Sequence, residues 1–128
     1  MKRNLLFILT KSLKHMSTAK LKTILSTFSS WCYNHDLKRN SWFWDDNGNS
    51  AQRSRRERQL SFTDQVKIGK YTICYWSDCS MSRKHVYWSD GLYLQDVDDV
   101  NVTFGDINRI SCVIHDIIDN RNLPSQDI

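Results

Sequence analysis

The chain has 128 residues, of which 40% are hydrophobic and 12% aromatic, so it is long enough to form one domain with an ordinary hydrophobic core. This composition excludes an intrinsically disordered chain, and no apolar run approaches the ~18 residues of a membrane-spanning helix. The 18 Lys and Arg residues outnumber the 14 Asp and Glu residues, and the net charge is +4.

Two amphipathic helices are predicted at the start of the chain. Apolar residues recur at spacings of three and four over 5–16 and, more regularly, over 21–32. Ser17 or Thr18 suits the N-cap of the second helix, so we predict helices over 4–14 and 18–34. We interpret them as a packed helical pair. A DNA-reading helix-turn-helix is disfavoured because the turn lacks Gly and the second helix offers mostly Ser and Thr.

The middle of the chain predicts a small antiparallel sheet. Residues 42–44 form an aromatic, strand-like run that is followed by strong turn formers. Residues 66–76 alternate and are rich in β-formers, which predicts a strand with Gly69 as a bulge. Residues 100–104 predict a further short strand.

A short repeat predicts a hairpin within this sheet. The sequence of residues 75–78, Tyr-Trp-Ser-Asp, recurs at 87–90. Folding the first copy onto the second sets Tyr75 opposite Trp88 and Trp76 opposite Tyr87, so we predict a three-strand β-meander over 66–95.

The last predicted element is a helix over 106–119, with Asp106 as its N-cap and Ile residues at helical spacing. The predicted fold class is therefore α+β, with two N-terminal helices and a C-terminal helix packed on a small antiparallel sheet. We expect one domain over 1–128. It comprises a helical segment over 1–36, a sheet over 40–104 with a basic loop over 50–59, and the C-terminal helix.

Charge is distributed unevenly along the chain. Residues 1–70 contain 14 Lys or Arg and 5 Asp or Glu, a net of +9, whereas residues 71–128 contain 4 and 9, a net of −5. A basic region beside aromatic residues is a common feature of nucleic-acid-binding proteins. We therefore expect a non-enzymatic accessory or regulatory protein that binds nucleic acid electrostatically. The candidate residues are Lys38, Arg39, Trp42, Trp44, Arg53, Arg55, Arg56 and Arg58.

Two alternatives remain open for these features. The arginine run is equally typical of a solvated loop without a partner. The protein is alternatively an inhibitor or interaction module that acts on a host protein. In that case the aromatic hairpin would supply the main contacts, through Tyr75, Trp76, Tyr87 and Trp88.

Metal binding and catalysis are disfavoured. Cys32-x2-His35, Cys74-x4-Cys79 and Cys112-x2-His115 have spacings that zinc tolerates, but they lie on elements that packing explains better. Asp78, His85 and Asp90 could meet at the hairpin end, and Asp96, Asp98 and Asp99 could bind a cation, yet turn chemistry accounts for these Asp residues. We therefore expect free thiols, no metal, no cofactor and no enzyme activity.

Composition also bears on origin and location. Pro occurs once and Gly four times while Ile, Asn, Lys and Ser are abundant, a bias typical of AT-rich coding sequence in phages, viruses or mobile elements. The apolar run that follows the N-terminal charges is cut short by Lys11 and Lys14, so it does not resemble a signal peptide. We expect a cytoplasmic protein with no membrane partner and with reduced cysteines.

Overall fold

The computed structural model describes residues 3–40, 43–44, 60–81, 85–95 and 102–123. Helix α1 spans Arg3–Lys14 and α2 spans Thr18–Asn40. The strands are β1 (Phe43–Trp44), β2 (Leu60–Ile68), β3 (Tyr71–Met81) and β4 (His85–Leu94), and the chain continues to helix α3 (Phe104–Arg121). The order of helix, helix, strands and helix confirms the predicted α+β arrangement.

The strands form one antiparallel sheet in the order β1-β4-β3-β2. Strands β2, β3 and β4 are consecutive and form the predicted meander, and the two-residue β1 pairs with the outer edge of β4. Trp42 lies outside the described residues, so the aromatic run is confirmed as strand only at 43–44.

The helices cover one face of the sheet, which we term the inner face. Its strand residues pack into one cluster with apolar side chains of all three helices. The main members are Leu9, Leu13, Phe28, Trp31, Val66, Ile68, Ile73, Tyr75, Leu94, Ile107, Ile110 and Ile114. We term the opposite face the outer face; Thr63, Gln65 and Lys67 of β2 alternate with the inward residues and are exposed there.

The structure corrects the predicted strand over 66–76, which is two strands joined by a tight turn. Gly69 and Lys70 connect β2 to β3, and Ile68 pairs with Tyr71. Gly69 has φ +61°, a left-handed conformation that two-residue hairpin turns require and that Gly adopts without strain. Gly69 is therefore the turn residue and not a bulge.

The β3–β4 hairpin forms as predicted, but its register differs. Tyr75 lies opposite Leu92 and Trp76 opposite Gly91, whereas Trp88 lies opposite Cys79 and Tyr87 opposite Ser80. The last pair before the turn is Met81 with Val86. The residue opposite each member of the first copy of the repeat therefore lies four positions further along β4 than predicted. The repeat identified the correct strands and misplaced the turn between them.

The start of α3 also differs from the prediction. Thr103 is the N-cap, with its side chain accepting from the Asp106 amide at 3.0 Å, and Asp106 accepts from the Thr103 amide at 2.9 Å. Asp106 is thus the third helical residue of a capping box and not the cap itself. Val102 and Thr103 have no strand structure and Phe104 is helical, so the strand predicted over 100–104 is wrong for these residues; 100–101 lie outside the described ones.

The second helix begins where predicted and ends later. The Ser17 hydroxyl accepts from the Lys20 amide at 3.2 Å, which makes Ser17 the N-cap. The helix continues to Asn40, beyond the predicted end at residue 34, and so carries Lys38 and Arg39 on its last turn.

We predict that Gly69→Ala destabilises the protein by about 2–4 kcal/mol, because a left-handed backbone and overpacking both oppose a side chain there. An added Cβ would lie 2.5 Å from Ser12 Oγ of α1. The control is Gly105→Ala, whose Cβ would meet only Thr103 Oγ1 at 3.4 Å. We expect that variant to be neutral or slightly more stable in urea unfolding. Equal stability of the two variants would contradict this description of the turn.

We predict that Asp106→Ala lowers stability by about 1 kcal/mol at neutral pH. Burial alone would raise the pKa of Asp106, but hydrogen bonds from Thr103 outweigh it, and the pKa lies below its usual value of 3.8. The charged form therefore stabilises the fold above that value, and this contribution is lost as pH falls through the lowered pKa. Wild type and variant should converge in acid. Asp116→Ala, at an exposed position on α3, is the control that should change little at any pH.

Candidate functional site

The arginine-rich segment lies outside the described residues, but the strands on either side of it are described. Strand β1 ends at Trp44, opposite His85, the first residue of β4. Strand β2 begins at Leu60, opposite Cys79 near the end of β3. The segment 45–59, which carries Arg53, Arg55, Arg56 and Arg58, therefore leaves and rejoins the sheet at the end where β3 turns into β4.

Two further basic stretches belong to this end of the sheet. Helix α2, whose last turn carries Lys38 and Arg39, ends three residues before β1 along the chain. Arg83 and Lys84 occupy the connection between β3 and β4. We term this end, bounded by the chain positions 40, 44, 60, 81 and 85, the basic end. Trp42 and the connecting segments lie outside the described residues, as do the side chains of Lys38, Arg39 and Trp44.

Positive charge dominates the basic end. Residues 38–59 and 82–84 contain three acidic residues, Asp45, Asp46 and Glu57. They contain eight basic residues, namely Lys38, Arg39, Arg53, Arg55, Arg56, Arg58, Arg83 and Lys84. The chain segments that begin and end at this end of the sheet thus carry more basic than acidic residues.

The other lysines lie far from the basic end. Lys11, Lys14, Lys20 and Lys22 are exposed on α1 and on the first turns of α2. Since a helix rises ~1.5 Å per residue, Lys20 and Lys38 are separated by roughly 27 Å along the axis of α2. These lysines therefore form a separate surface.

The aromatic residues of the hairpin divide between the two faces. The structure corrects the surface role considered for Tyr75, whose side chain is fully buried on the inner face. Trp76 points to the outer face and is partly exposed. For Tyr87 and Trp88 only the backbone pairing with Ser80 and Cys79 is described.

A buried carboxylate joins the helices to the sheet on the inner face. Asp90 of β4 accepts a hydrogen bond from the Tyr75 hydroxyl at 2.6 Å and lies 3.0 and 3.1 Å from Nδ1 of His35 on α2. The side chains of His35 and Asp90 are 19% and 11% exposed. Because a carboxylate oxygen accepts, the proton in this bond is on Nδ1 of His35, which donates to Asp90.

Aromatic rings surround this carboxylate. The His35 ring stacks on Phe104, with centroids 3.8 Å apart, and Phe104 meets Tyr75 edge-on at 6.0 Å. Trp31 stacks on the other side of Tyr75 at 5.6 Å and contacts Phe28 at 5.4 Å. Burial and the bond to Asp90 raise the pKa of the Tyr75 phenol strongly. The ring cluster therefore links α2, β3, β4 and the first residue of α3.

A second carboxylate lies at the edge of the sheet. Asp64 of β2 accepts from Trp31 Nε1 at 3.1 Å and from the Gln65 amide at 2.9 Å. Trp31 is thus fixed by its ring contacts and by a polar bond. The result is a second link between α2 and the sheet. It is made through β2, which lies on the other side of β3 from β4.

The His35–Asp90 pair has the geometry of a positioned general base, but its surroundings favour a structural role. His35 does not line the cavities of about 330 and 260 Å³ that described residues form beside α2. No described serine or cysteine is bonded to His35. Asp90 is bonded to His35, which is 55 positions away in the sequence, and not to other acidic residues at the end of the hairpin.

Three of the four cysteines, Cys32, Cys74 and Cys112, are free thiols, and the side chain of Cys79 lies outside the described residues. Burial and the nearby Asp36 raise the pKa of Cys32, so its thiol is protonated at neutral pH and is a weak nucleophile. Among the residues that the structure describes, no three His, Cys, Asp or Glu side chains are grouped to hold a metal ion.

Sequence reasoning missed the His35–Asp90 pair and the exposed Tyr93. A signal existed for both. His35 follows Phe28 and Trp31 at helical spacing on the buried face of α2, and Tyr93 alternates with the inward-facing Leu92 and Leu94. Both patterns indicate where a side chain lies, but neither identifies its partner.

The chain matches no known protein family, no curated protein and no solved structure. In the described part of the chain, no helix combines the length and the apolar content needed to cross a membrane.

We predict that Tyr75→Phe lowers stability by about 1.5–3 kcal/mol, because it removes a hydrogen bond to a buried carboxylate. Tyr33→Phe makes the same chemical change at a side chain that is 67% exposed and should change stability by less than about 0.5 kcal/mol. Urea unfolding of both variants measures the difference. Equal effects would mean that the Tyr75–Asp90 bond does not stabilise the fold.

Proposed function

We propose that this protein is a non-enzymatic accessory protein that binds nucleic acid electrostatically through the basic end of its sheet. The observation that supports this most is topological: both ends of the arginine segment and the β3–β4 connection attach to one end of the sheet, and α2 ends three residues before β1. Eight basic residues and three acidic ones belong to this region. Guanidinium groups bind phosphate in a bidentate manner and release its counterions.

The rest of the molecule is consistent with a binding role. His35 is the best-placed candidate for a general base, and it is bonded and stacked within the packing of the helices against the sheet. The free thiols fit a reducing cytoplasm. The composition favours an origin in a phage, virus or mobile element. The proposal therefore includes a cytoplasmic location and an origin in a phage, virus or mobile element.

We expect a salt-dependent affinity that depends on the arginine segment. If all four arginines neutralise phosphates, they contribute a slope of about −3.6 to log K against log salt, or roughly two decades of affinity between 50 and 200 mM salt. The variant Arg53→Gln, Arg55→Gln, Arg56→Gln, Arg58→Gln should lose most of that slope. Base preference should be weak, because phosphate contacts carry no direct sequence information.

The matched control removes the same number of charges elsewhere, with Lys11→Gln, Lys14→Gln, Lys20→Gln and Lys22→Gln. Both variants have a net charge of zero, because each removes four positive charges from +4. The measurement is fluorescence anisotropy with single-stranded and duplex oligonucleotides at several salt concentrations. Absence of binding by the wild type at tens of micromolar would eliminate the proposal, and equal losses in both variants would eliminate the basic end as the site.

A further inference from the structure

No described helix packs on the outer face of the sheet, since all three pack on the inner face; Cys74 and Thr72 are buried on the outer face, whereas its other described side chains are at least partly exposed. Its described side chains carry two charges, on Lys67 and Asp78. The others are uncharged and include the exposed hydrogen-bonding groups of Thr63, Gln65, Ser89 and Gln95. Such a face offers hydrogen-bond donors and acceptors with little electrostatic field of its own.

Trp76 packs against the backbone of β4 on this face. It pairs with Gly91 in the register, and a Cβ placed on Gly91 would lie 2.9, 3.1 and 3.2 Å from Nε1, Cε2 and Cζ2 of the indole. The Nε1–Cζ2 edge of the indole therefore lies against the glycine. Only a residue without a side chain leaves room for this contact. The Trp76 side chain is partly exposed.

Tyr93 is the neighbouring aromatic group. It is 42% exposed and lies opposite Cys74, which is fully buried. The interaction with Cys74, its partner in the register, raises the pKa of the Tyr93 phenol. Trp76 and Tyr93 are diagonal neighbours in the β3–β4 pair, a relation that separates residues by roughly 7–8 Å.

We infer that the nucleic acid bound by this protein is single-stranded, and that successive bases stack on Trp76 and Tyr93 while the backbone reaches the basic end. This inference rests on the proposed function. Aromatic side chains on an open antiparallel sheet stack the unpaired bases of single strands, whereas bases within a duplex are already stacked on one another. From Trp76 to Met81 at the basic end, β3 advances by about 17 Å, so a few nucleotides connect the two regions.

The first test compares a single-stranded oligothymidine with a duplex of equal length, using the full chain at constant salt. We expect the single strand to bind at least about tenfold more tightly. Tyr93→Ala should weaken single-strand binding by roughly 5- to 100-fold, the range found for the loss of one stacked base. Tyr93→Phe keeps the ring and should bind as the wild type does.

The control for a lost exposed ring is Tyr33→Ala on α2, at a side chain that is 67% exposed. It should leave binding unchanged. Tyr93→Ala removes no charge, so its salt slope should equal that of the wild type. Far-UV circular dichroism and urea unfolding establish that both variants are folded.

Asp78 provides a second, independent test. It lies on the outer face two residues from Trp76 towards the basic end and is partly exposed. A phosphate backbone that follows this path is repelled by its carboxylate, so Asp78→Asn should strengthen single-strand binding severalfold. Asp116→Asn makes the same charge change on the exposed surface of α3 and should have a much smaller effect.

The outcomes separate the inference from the proposed function. Equal binding of single strand and duplex, with no effect of Tyr93→Ala, would overturn the inference and leave electrostatic binding at the basic end intact. Salt-dependent binding that is lost in the arginine variant but not in Tyr93→Ala would likewise overturn the inference and leave electrostatic binding at the basic end intact. No binding to either oligonucleotide would overturn both, and the outer face would then be a surface for a protein partner.

Discussion

The buried carboxylate of Asp90 constrains how the helices lie on the sheet. A carboxylate with little exposure needs donors, and they come from β3 through Tyr75 and from α2 through His35. Phe104 then stacks on His35, which fixes the start of α3. Because these donors come from separate elements, α2 is tied to β4 at His35. The helix then ends at Asn40, three residues before β1, whose last residue pairs with the first residue of β4.

The two faces of the sheet have separate physical roles. The inner face combines apolar packing with two carboxylates, Asp90 and Asp64, that accept from buried aromatic and imidazole groups. The outer face leaves Trp76 and Tyr93 accessible. The outer face also contains the buried Cys74 and Thr72, so it is the exposed side chains there, such as Tyr93, that can change with little effect on the core.

The sequence predicted the elements that local patterns determine and missed those that depend on distant partners. Helical spacing located all three helices, and only the C-terminal extent of α2 and the capping residue of α3 were misassigned. Gly69 was identified as exceptional, but a bulge and a turn require the same left-handed freedom, so composition did not distinguish them. The β3–β4 register depends on where the turn forms, and a repeated motif does not determine that position. The His35–Asp90 pair joins residues 55 positions apart, which no local pattern reveals.

The hydrogen bond from the Gln65 amide to Asp64 has a consequence for self-association. Strand β2 is at the edge of the described sheet, and an edge strand is a template on which another chain can add a strand. The Asp64 carboxylate already occupies the Gln65 amide, and the exposed Lys67 adds a charge two residues further on. An incoming strand would have to displace the carboxylate and desolvate the lysine. The fold thus protects its open edge against the backbone pairing that begins aggregation.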